Sequence, residues 1–524
     1  MRRSWGFERL AALGAGILCI VAAGVAAATP YDYLSVGDPL EFELRTLDTL
    51  DPRPLNDRIL LPHLNTRPLQ LVDLMGTGAP PQELSPVYRI SVARIERAFA
   101  RDAADWYTPH PDYRSTPRAY QRTEDDQRFE FSTGISGAAR AETHGSRFLN
   151  GSGWESRVAL GLDHWLAYSR FVVGRFDSAR TFADPIVPNN DLVALTDETY
   201  IAYTGERQRW GMLFGQNRWH WGPGEEGSLV LSRSVPATVG LLMRAHLDML
   251  RLDLTSLSAT LEQAQGEQLA AHRIEWQPRE PLRIGVTEAA RYRSTGWQPL
   301  YLVGAIPYVL VQRLYLQKEP DSLRAHRNNI LTAFDASWRV ANGTRLYGEV
   351  LIDDLHARSG KNANKYAFQL GYDAAGSLGD TRLTWGGEYT RVTRYVYTSF
   401  FGRSYVVQGQ PLGFPVAPDS RRLRVHAAWD LSPDWQLNAL VIRSDKGENT
   451  LDEPFIRGVS DVNSATFEGV LETTRELEVG VRWWPASGVN VEVTGGYRWV
   501  EQAAHVRNAT DRTPVGALAL RLMR

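Results

Sequence analysis

From Arg128 to the C-terminus, apolar and polar residues alternate in segments of about ten residues. Clear runs are Ile330/Thr332/Phe334/Ala336/Trp338/Val340, Leu423/Val425/Ala427/Trp429/Leu431, Leu477/Val479/Val481/Trp483 and Val489/Val491/Val493. The intervening positions hold Asp335 and Arg339, then Arg422, Arg424 and His426, then Glu476, Glu478 and Arg482. A period of two is that of a strand with one apolar face. Apolar on one side and charged on the other, at roughly 9–11 residues, suits a strand crossing a membrane with lipid outside and a lumen inside. The pattern predicts eighteen strands, from one near 128–138 to one near 514–523. One of them is placed at 300–313, and 264–281 is read as a link. Links such as 178–197, 218–236, 396–420 and 445–473 are long, whereas Ala341-Asn342, Ser432-Pro433 and Pro485-Ala486-Ser487-Gly488 are tight. Alternating long and short links are the parity of an outer-membrane barrel, with long loops outside and short turns in the periplasm. A soluble sandwich or propeller would also alternate, but with shorter strands and without that parity. Trp338, Trp429, Trp483 and Trp499 at strand ends fit an interfacial girdle. The fold class is therefore an all-β membrane protein, an antiparallel transmembrane β-barrel of about 18 strands over residues 128–524.

The preceding residues have a different texture. Residues 29–127 are rich in Pro and lack sustained alternation. They predict a small N-terminal helical, irregular region on the periplasmic side, able to plug the barrel. A short helix is expected after Thr66-Arg67-Pro68 and a longer one over Val87 to Ala100, where Ile90, Ala93, Arg94 and Arg97 share a face. Residues 1–28 have Arg2, Arg3 and Arg9 before an uncharged run ending Ala26-Ala27-Ala28, the three-part pattern of a signal peptide; an uncleaved anchor is the rival reading. Cys19, the single Cys, lies within that run, so cleavage after Ala28 leaves no Cys for disulfides, thiol chemistry or Cys-type metal sites. Past Ala28 no apolar run approaches the roughly 20 residues of a membrane helix. The net charge of −2 argues against a nucleic-acid partner.

The densest chemistry lies in Gln216–Pro236, QNRWHWGPGEEGSLVLSRSVP. Arg218, Trp219, His220, Trp221, Glu225, Glu226 and Arg233 are candidate polysaccharide contacts. Trp faces suit sugar rings, and Arg can fork onto uronate or phosphate groups. The competing reading is structural: Gly222-Pro223-Gly224 is a turn, and the flanking side chains pack the loop into the barrel mouth. Arg339, Glu349, Asp353, Arg482 and Glu492 read as structural charges of the lumen, with Arg339 and Arg345 balancing Glu349 and Asp353. Pairing Arg482 with Glu492 in the last hairpin also sets Glu476 opposite Arg498. The eleven His show no ligand spacing, so no metal and no cofactor is expected. A Ser/His or Asp/His site at the rim would have to use His164, His220 or His426 with distant partners, and nothing in the sequence selects one.

Three segments carry a family resemblance. Asn56-Asp57-Arg58 with Leu64-Asn65-Thr66-Arg67-Pro68-Leu69, Arg218-Trp219-His220-Trp221-Gly222-Pro223-Gly224 with Ser228-Leu229-Val230-Leu231-Ser232, and Tyr347-Gly348-Glu349 with Asp353-Asp354 resemble, in order, motifs of the Wzi-type capsule assembly proteins of Gram-negative outer membranes. His220 stands where that family usually has Trp, and the chain ends Leu522-Met523-Arg524 rather than on an aromatic residue. The resemblance implies non-catalytic attachment of capsular or related exopolysaccharide at the cell surface. The implied partners are that polysaccharide, outer-membrane lipid and the barrel-assembly machinery, and the protein is expected to be a monomer. A barrel of eighteen strands can instead enclose a water-filled pore for saccharide export or uptake. The N-terminal region decides between the two.

Overall fold

In the computed structural model the alternating segments form strands of 8 to 16 residues, each paired antiparallel with its chain neighbours. The structure describes residues 32–33, 40–51, 68–69, 84–99, 120–124, 127–142, 145–148, 152–175, 192–205, 209–316, 328–355, 360–400, 402–486 and 488–523. The expected signal peptide, the Asn56-Asp57-Arg58 motif and most of the 102–126 linker lie outside these residues.

Eighteen long strands make the wall: β1 (Gln127–Glu142), β2 (Ser152–Leu162), β3 (Trp165–Arg175), β4 (Leu192–Thr204), β5 (Trp210–Asn217), β6 (Thr238–Leu247), β7 (Leu252–Glu262), β8 (Glu267–Arg279), β9 (Leu282–Arg293), β10 (Asn329–Ala341), β11 (Thr344–Asp354), β12 (Lys365–Leu378), β13 (Thr381–Val392), β14 (Ser420–Ser432), β15 (Trp435–Lys446), β16 (Glu472–Ala486), β17 (Val489–Glu501) and β18 (Thr510–Met523). The ring closes where β18 pairs with β1, from Val515↔Glu142 to Met523↔Gly134. Even-numbered strands enter tight turns such as Asp163-His164 and Asn342-Gly343, and most odd-numbered strands enter long loops, as expected. The outward face is an apolar belt that includes Phe214, Leu254, Ile274, Phe334, Val350, Leu423, Val425 and Val479. A closed barrel with an apolar belt and this parity is an outer-membrane architecture. The last hairpin has the expected register, with Arg482↔Glu492 and Glu476↔Arg498.

The count of eighteen holds, but one member differs from the expectation. Residues 300–313 are not a strand: they form two short helices, α3 (Pro299–Val303) and α4 (Tyr308–Leu316), in the loop between β9 and β10. Pro299 at the first turn of α3, left-handed Gly304 and Pro307 before α4 punctuate them, and Tyr308 and Val311 face inward at helical spacing. The missing strand is β8, within the expected link 264–281. In its upper half, outward positions carry Gln268, Ala270 and His272 rather than large apolar residues, so period-two hydrophobicity hides it.

Two N-terminal helices precede the barrel among the described residues, αA (Leu40–Thr49) and αB (Pro86–Phe99). αB falls where the apolar spacing put it, and Ile90 and Ala93 are buried. The helix expected after Thr66 is not seen at Pro68–Leu69, which instead pair antiparallel with Asp32–Tyr33.

Candidate functional site

The lumen is filled from both ends. From the periplasmic end comes αA, whose charges are spaced to reach several walls at once. Arg382 of β13, fully buried, binds Glu43 through Nη1 at 2.6 Å and Asp430 through Nε at 2.7 Å. Arg94 of αB binds the same two carboxylates, at 2.7 and 2.5 Å, and lies 4.2 Å over the Trp484 ring. Asp48 pairs with Arg345 at 2.5 Å and with Arg283 of β9. Arg45 reaches Asp373 at 2.9 Å. Backbone contacts tie the helix end to the periplasmic turn: the Gly343 amide donates to the Thr49 carbonyl at 2.8 Å, and the Asn342 side chain accepts from the Asp51 amide at 2.8 Å. Burial opposes ionisation of Glu43, but Arg382 and Arg94 together hold its pKa down at about 2.

From the outer end the 218–237 loop folds inward, not outward. Its turn is possible because of Gly222 and Gly224. Gly222 has φ 139°, and a Cβ there would lie 2.5 Å from Ser228 Oγ; a Cβ on Gly224 would lie 2.1 Å from the Gly227 carbonyl oxygen. Glu349 of β11 pins the returning chain, accepting from the Leu229 amide at 3.0 Å and from the Ser228 hydroxyl at 3.1 Å. Trp221 is only 1% exposed, and its amide donates to the Leu231 carbonyl at 3.0 Å. Trp219 Nε1 donates to Thr238 at 3.0 Å, and His220 Nε2 meets the Gly224 carbonyl at 3.0 Å. Another long loop, 393–419, closes over this one. The Tyr397 hydroxyl donates to the Leu229 carbonyl at 2.6 Å, the Ser232 amide donates to Leu412, and Tyr405, Leu412 and Phe414 are buried.

Plug helix and inward loop meet in the middle. Arg233 of the loop pairs with Glu41 of αA at 2.7 Å, and Arg45 donates to the Pro223 carbonyl at 2.9 Å. Glu225 binds Arg424 at 2.8 Å, lies 3.3 Å from His426, and donates its amide to Glu388 at 2.8 Å. Glu226 binds Arg422 at 2.6 Å. Burial raises the Glu225 pKa, but Arg424, His426 and Arg45 outweigh it and hold the carboxyl well below its usual range. Glu225, Asp373 and His426 lie close enough to share a cation. Arg45, Arg345 and Arg424 already neutralise this cluster, so a divalent ion would meet three guanidinium groups. The donor set fits a salt-bridge hub and does not fit a metal.

The seven residues proposed from sequence as glycan contacts thus sit in or against the interior. Trp219, His220 and Trp221 are buried, and Glu225, Glu226 and Arg233 are committed to internal ion pairs, while Arg218 is half-buried at the loop entrance. The lumen charges lie on the inward side of their strands; Arg339, Glu349 and Asp353 have other partners than those read from the sequence. Arg339 pairs with Glu280 at 2.5 Å and the Leu50 carbonyl, not with Glu349 or Asp353. Asp353 accepts from the Tyr397 amide at 2.8 Å and lies 3.6 Å from Lys365. Arg482 and Glu492 are joined at 2.9 Å. Glu43, Arg45, Asp48 and Arg382 were not singled out from sequence. The amphipathic stretch LEFELRTLDT, with four charges between Glu41 and Asp48, was the available signal.

His164 sits in the turn after β2, 3.6 Å from Asp163, and His426 lies deep in the lumen. The outer face is made by the 447–471 loop and its neighbours, where Phe400, Ile456, Arg457, Val459, Val506 and Arg507 are exposed.

The fold is similar to that of a solved Escherichia coli protein, Wzi, described as an outer-membrane, carbohydrate-binding β-barrel involved in group 1 capsule assembly. The two share 14% identity at a TM-score of 0.59, over 94% of this chain and 99% of that one. OccD3 (OpdP) of Pseudomonas aeruginosa shows a looser likeness, with 11% identity and a TM-score of 0.43 over 75% of this chain and 91% of that one. No curated protein matches in sequence. A family model, the capsule assembly protein Wzi, matches residues 112–513, most of the chain including the inward loop and the wall that holds it. The chain belongs to the Wzi family of capsule assembly proteins.

Proposed function

We propose that the protein binds a capsular or related polysaccharide non-covalently on its outer face and so holds the polymer at the cell surface. The observation that supports this best is the doubly filled lumen: αA and the 218–237 loop are joined by Arg233–Glu41 at 2.7 Å across the space a pore would need. That argues against the alternative of a saccharide channel. It also moves the contact surface from the buried Trp residues to the exposed groups of the outer loops. Phe400, Ile456 and Val459 offer apolar faces to sugar rings, and Arg457 and Arg507 offer cations to uronate groups. No catalysis is needed: weak contacts repeated along one polymer add up through multivalency. Anchoring without chemistry also fits His164, His220 and His426, which are engaged in turns and salt bridges. The protein would act as a monomer, receiving lipid around its belt and help from the barrel-assembly machinery during insertion.

The test pairs two measurements on the full-length protein. In planar bilayers it should be electrically silent, and on a column or sensor it should bind an acidic capsular polysaccharide. Phe400→Ala with Arg457→Ala should weaken that binding, each lost contact being worth about 1 kcal/mol or roughly fivefold per site. Steady conductance from the intact protein, or binding untouched by the double variant, overturns the proposal.

A further inference from the structure

The wall beneath α3 and α4 faces the wrong way for a lipid belt. On the outward side of three neighbouring strands lie Ser256, Ser258 and Thr260 of β7, Gln268, Ala270 and His272 of β8, and Glu288, Ala290 and Tyr292 of β9; the register sets Ser256 beside His272 and His272 beside Glu288. A polar patch of this kind facing hydrocarbon is strongly unfavourable. It does not face hydrocarbon, because the β9–β10 loop turns back over it. Tyr308 packs edge-on against His272 at 4.4 Å, and its amide donates to Glu288 at 2.6 Å. Ser256 donates to the Leu302 carbonyl at 2.8 Å, and Tyr301 stacks on Tyr292 at 4.6 Å. His272 lies 3.3 Å from the same Glu288. Each polar group of the patch that these contacts reach is met by the helices.

The depth of this cover follows from strand geometry. Trp276, exposed at the foot of β8, marks the lower girdle. His272 is four residues up the strand and Gln268 eight. At about 3.3 Å per residue and a tilt near 40°, they stand roughly 10 and 20 Å above that girdle, inside a band about 25 Å tall. The covered zone therefore runs from just below the middle of the membrane into its outer half. α4 rises through it: Tyr308 is level with Glu288, and Gln312 accepts from the Asn328 amide at the head of β10. The outward side of the helices is apolar. Val309 and Leu310 are 45% and 48% exposed, like Ile274 of the belt at 45%, and Val303 and Leu314 share that side. Trp297 continues it to Phe214 of β5, with ring centres 6.3 Å apart. The surface of the helices is thus continuous with the apolar belt around them. Arg313, exposed beyond Gln312, stands toward the upper rim, where lipid phosphates lie.

We propose that α3–α4 is a piece of the membrane wall rather than a surface loop, with Val309, Leu310 and Leu314 seated among the acyl chains of the outer leaflet and Arg313 directed at a lipid phosphate. The segment turns a polar gap in the barrel into lipid-compatible surface, and outer-leaflet lipid is the occupant of its exposed face.

The test places single cysteines at Leu310 and Leu314 in a chain carrying Cys19→Ser, with Val425→Cys on the belt and Val459→Cys on the outer loop as references. Spin labels in vesicles of lipopolysaccharide and phospholipid are read by collision with oxygen and with a polar nickel chelate. Labels at Leu310 and Leu314 should favour oxygen as the Val425 label does. In intact cells an impermeant maleimide should label Leu310→Cys at least about tenfold more slowly than Val459→Cys, since a thiol in apolar surroundings stays protonated. Nickel accessibility and labelling rates at Leu310 and Leu314 equal to those at Val459 would put the helices in water and overturn the proposal.

Discussion

Glu43→Ala tests how the plug is held. The carboxylate it removes is shared by Arg382, which is fully buried, and Arg94, and both then keep only Asp430 among their acidic partners here. Breaking a buried ion pair from one side costs about 3–5 kcal/mol, because the partner charge stays behind unpaired. No discount for solvent screening applies, since both Glu43 and Arg382 are sealed from water. The wall keeps its strand-to-strand hydrogen bonds, so the loss falls on the docking of αA rather than on the barrel. A penalty of that size raises the undocked population by roughly two to three and a half orders of magnitude. In a planar bilayer the wild type should be silent; undocked αA takes with it the Arg233–Glu41 and Arg45–Pro223 contacts that hold the inward loop from below, so Glu43→Ala should show discrete openings more often than the wild type, at most by that factor. Glu43→Ala with Arg382→Met should recover much of the closure, because Arg94 and Asp430 remain paired at 2.5 Å and no bare cation faces the helix. Openings no more frequent in Glu43→Ala than in wild type would show that this pair does not hold the plug. An equal rise in the double variant would show that the charge left behind is not the cause.

Two other outcomes follow from the same interior. Gly224→Ala places a Cβ 2.1 Å from the Gly227 carbonyl oxygen, so the 218–237 loop must shift; added protease cleavage within that loop, with heat-modifiable barrel migration unchanged, checks it. Arg382 and Arg94 lower the Glu43 pKa from the ordinary 4.5 to about 2 against the effect of burial, so its contribution to docking is fully present above pH 4.5 and lost as pH falls toward 2. Conductance of the wild type should therefore stay absent from pH 7 to 5 and appear only on acidification below about 4.5. Openings that grow between pH 7 and 5 would point to another group.

Much of the wall was legible because lipid imposes a strict rule on each outward side chain. Leu423, Val425 and Trp429 had to be apolar, and their polar neighbours had to face in. β8 escaped because that rule is suspended where α3–α4 stand in for lipid: Gln268 and His272 are outward but never meet it. The same fact explains why 300–313 passed for a strand, since Val303, Val309 and Leu310 face outward while Tyr301, Tyr308 and Val311 face the wall, on a backbone that is helical. The inward loop was recognisable as a special segment but not by direction. Trp219 and Trp221 look alike whether they wait for a sugar or fill a lumen, and only Glu349, 120 residues from the Leu229 amide it accepts, decides which. The wall partners of Glu43 and Asp48 lie more than 200 residues away in sequence, and even Arg94 is 51 residues from Glu43, beyond any local pattern.

αA also sets a chronology. It lies ahead of the entire barrel in the chain and so leaves the ribosome first. Yet Asp48 needs Arg283 and Arg345, and Glu43 needs Arg382, with Asp430 beside it, groups that come from β9, β11, β13 and β14. A segment made before the barrel can take its place only after the later strands have formed, and it reaches them from the periplasmic side. Until then its acidic residues face water, and the half-built lumen holds unpaired arginines. Docking of αA thus depends on the finished wall, and it is the step that gives the lumen arginines of the periplasmic half their carboxylates.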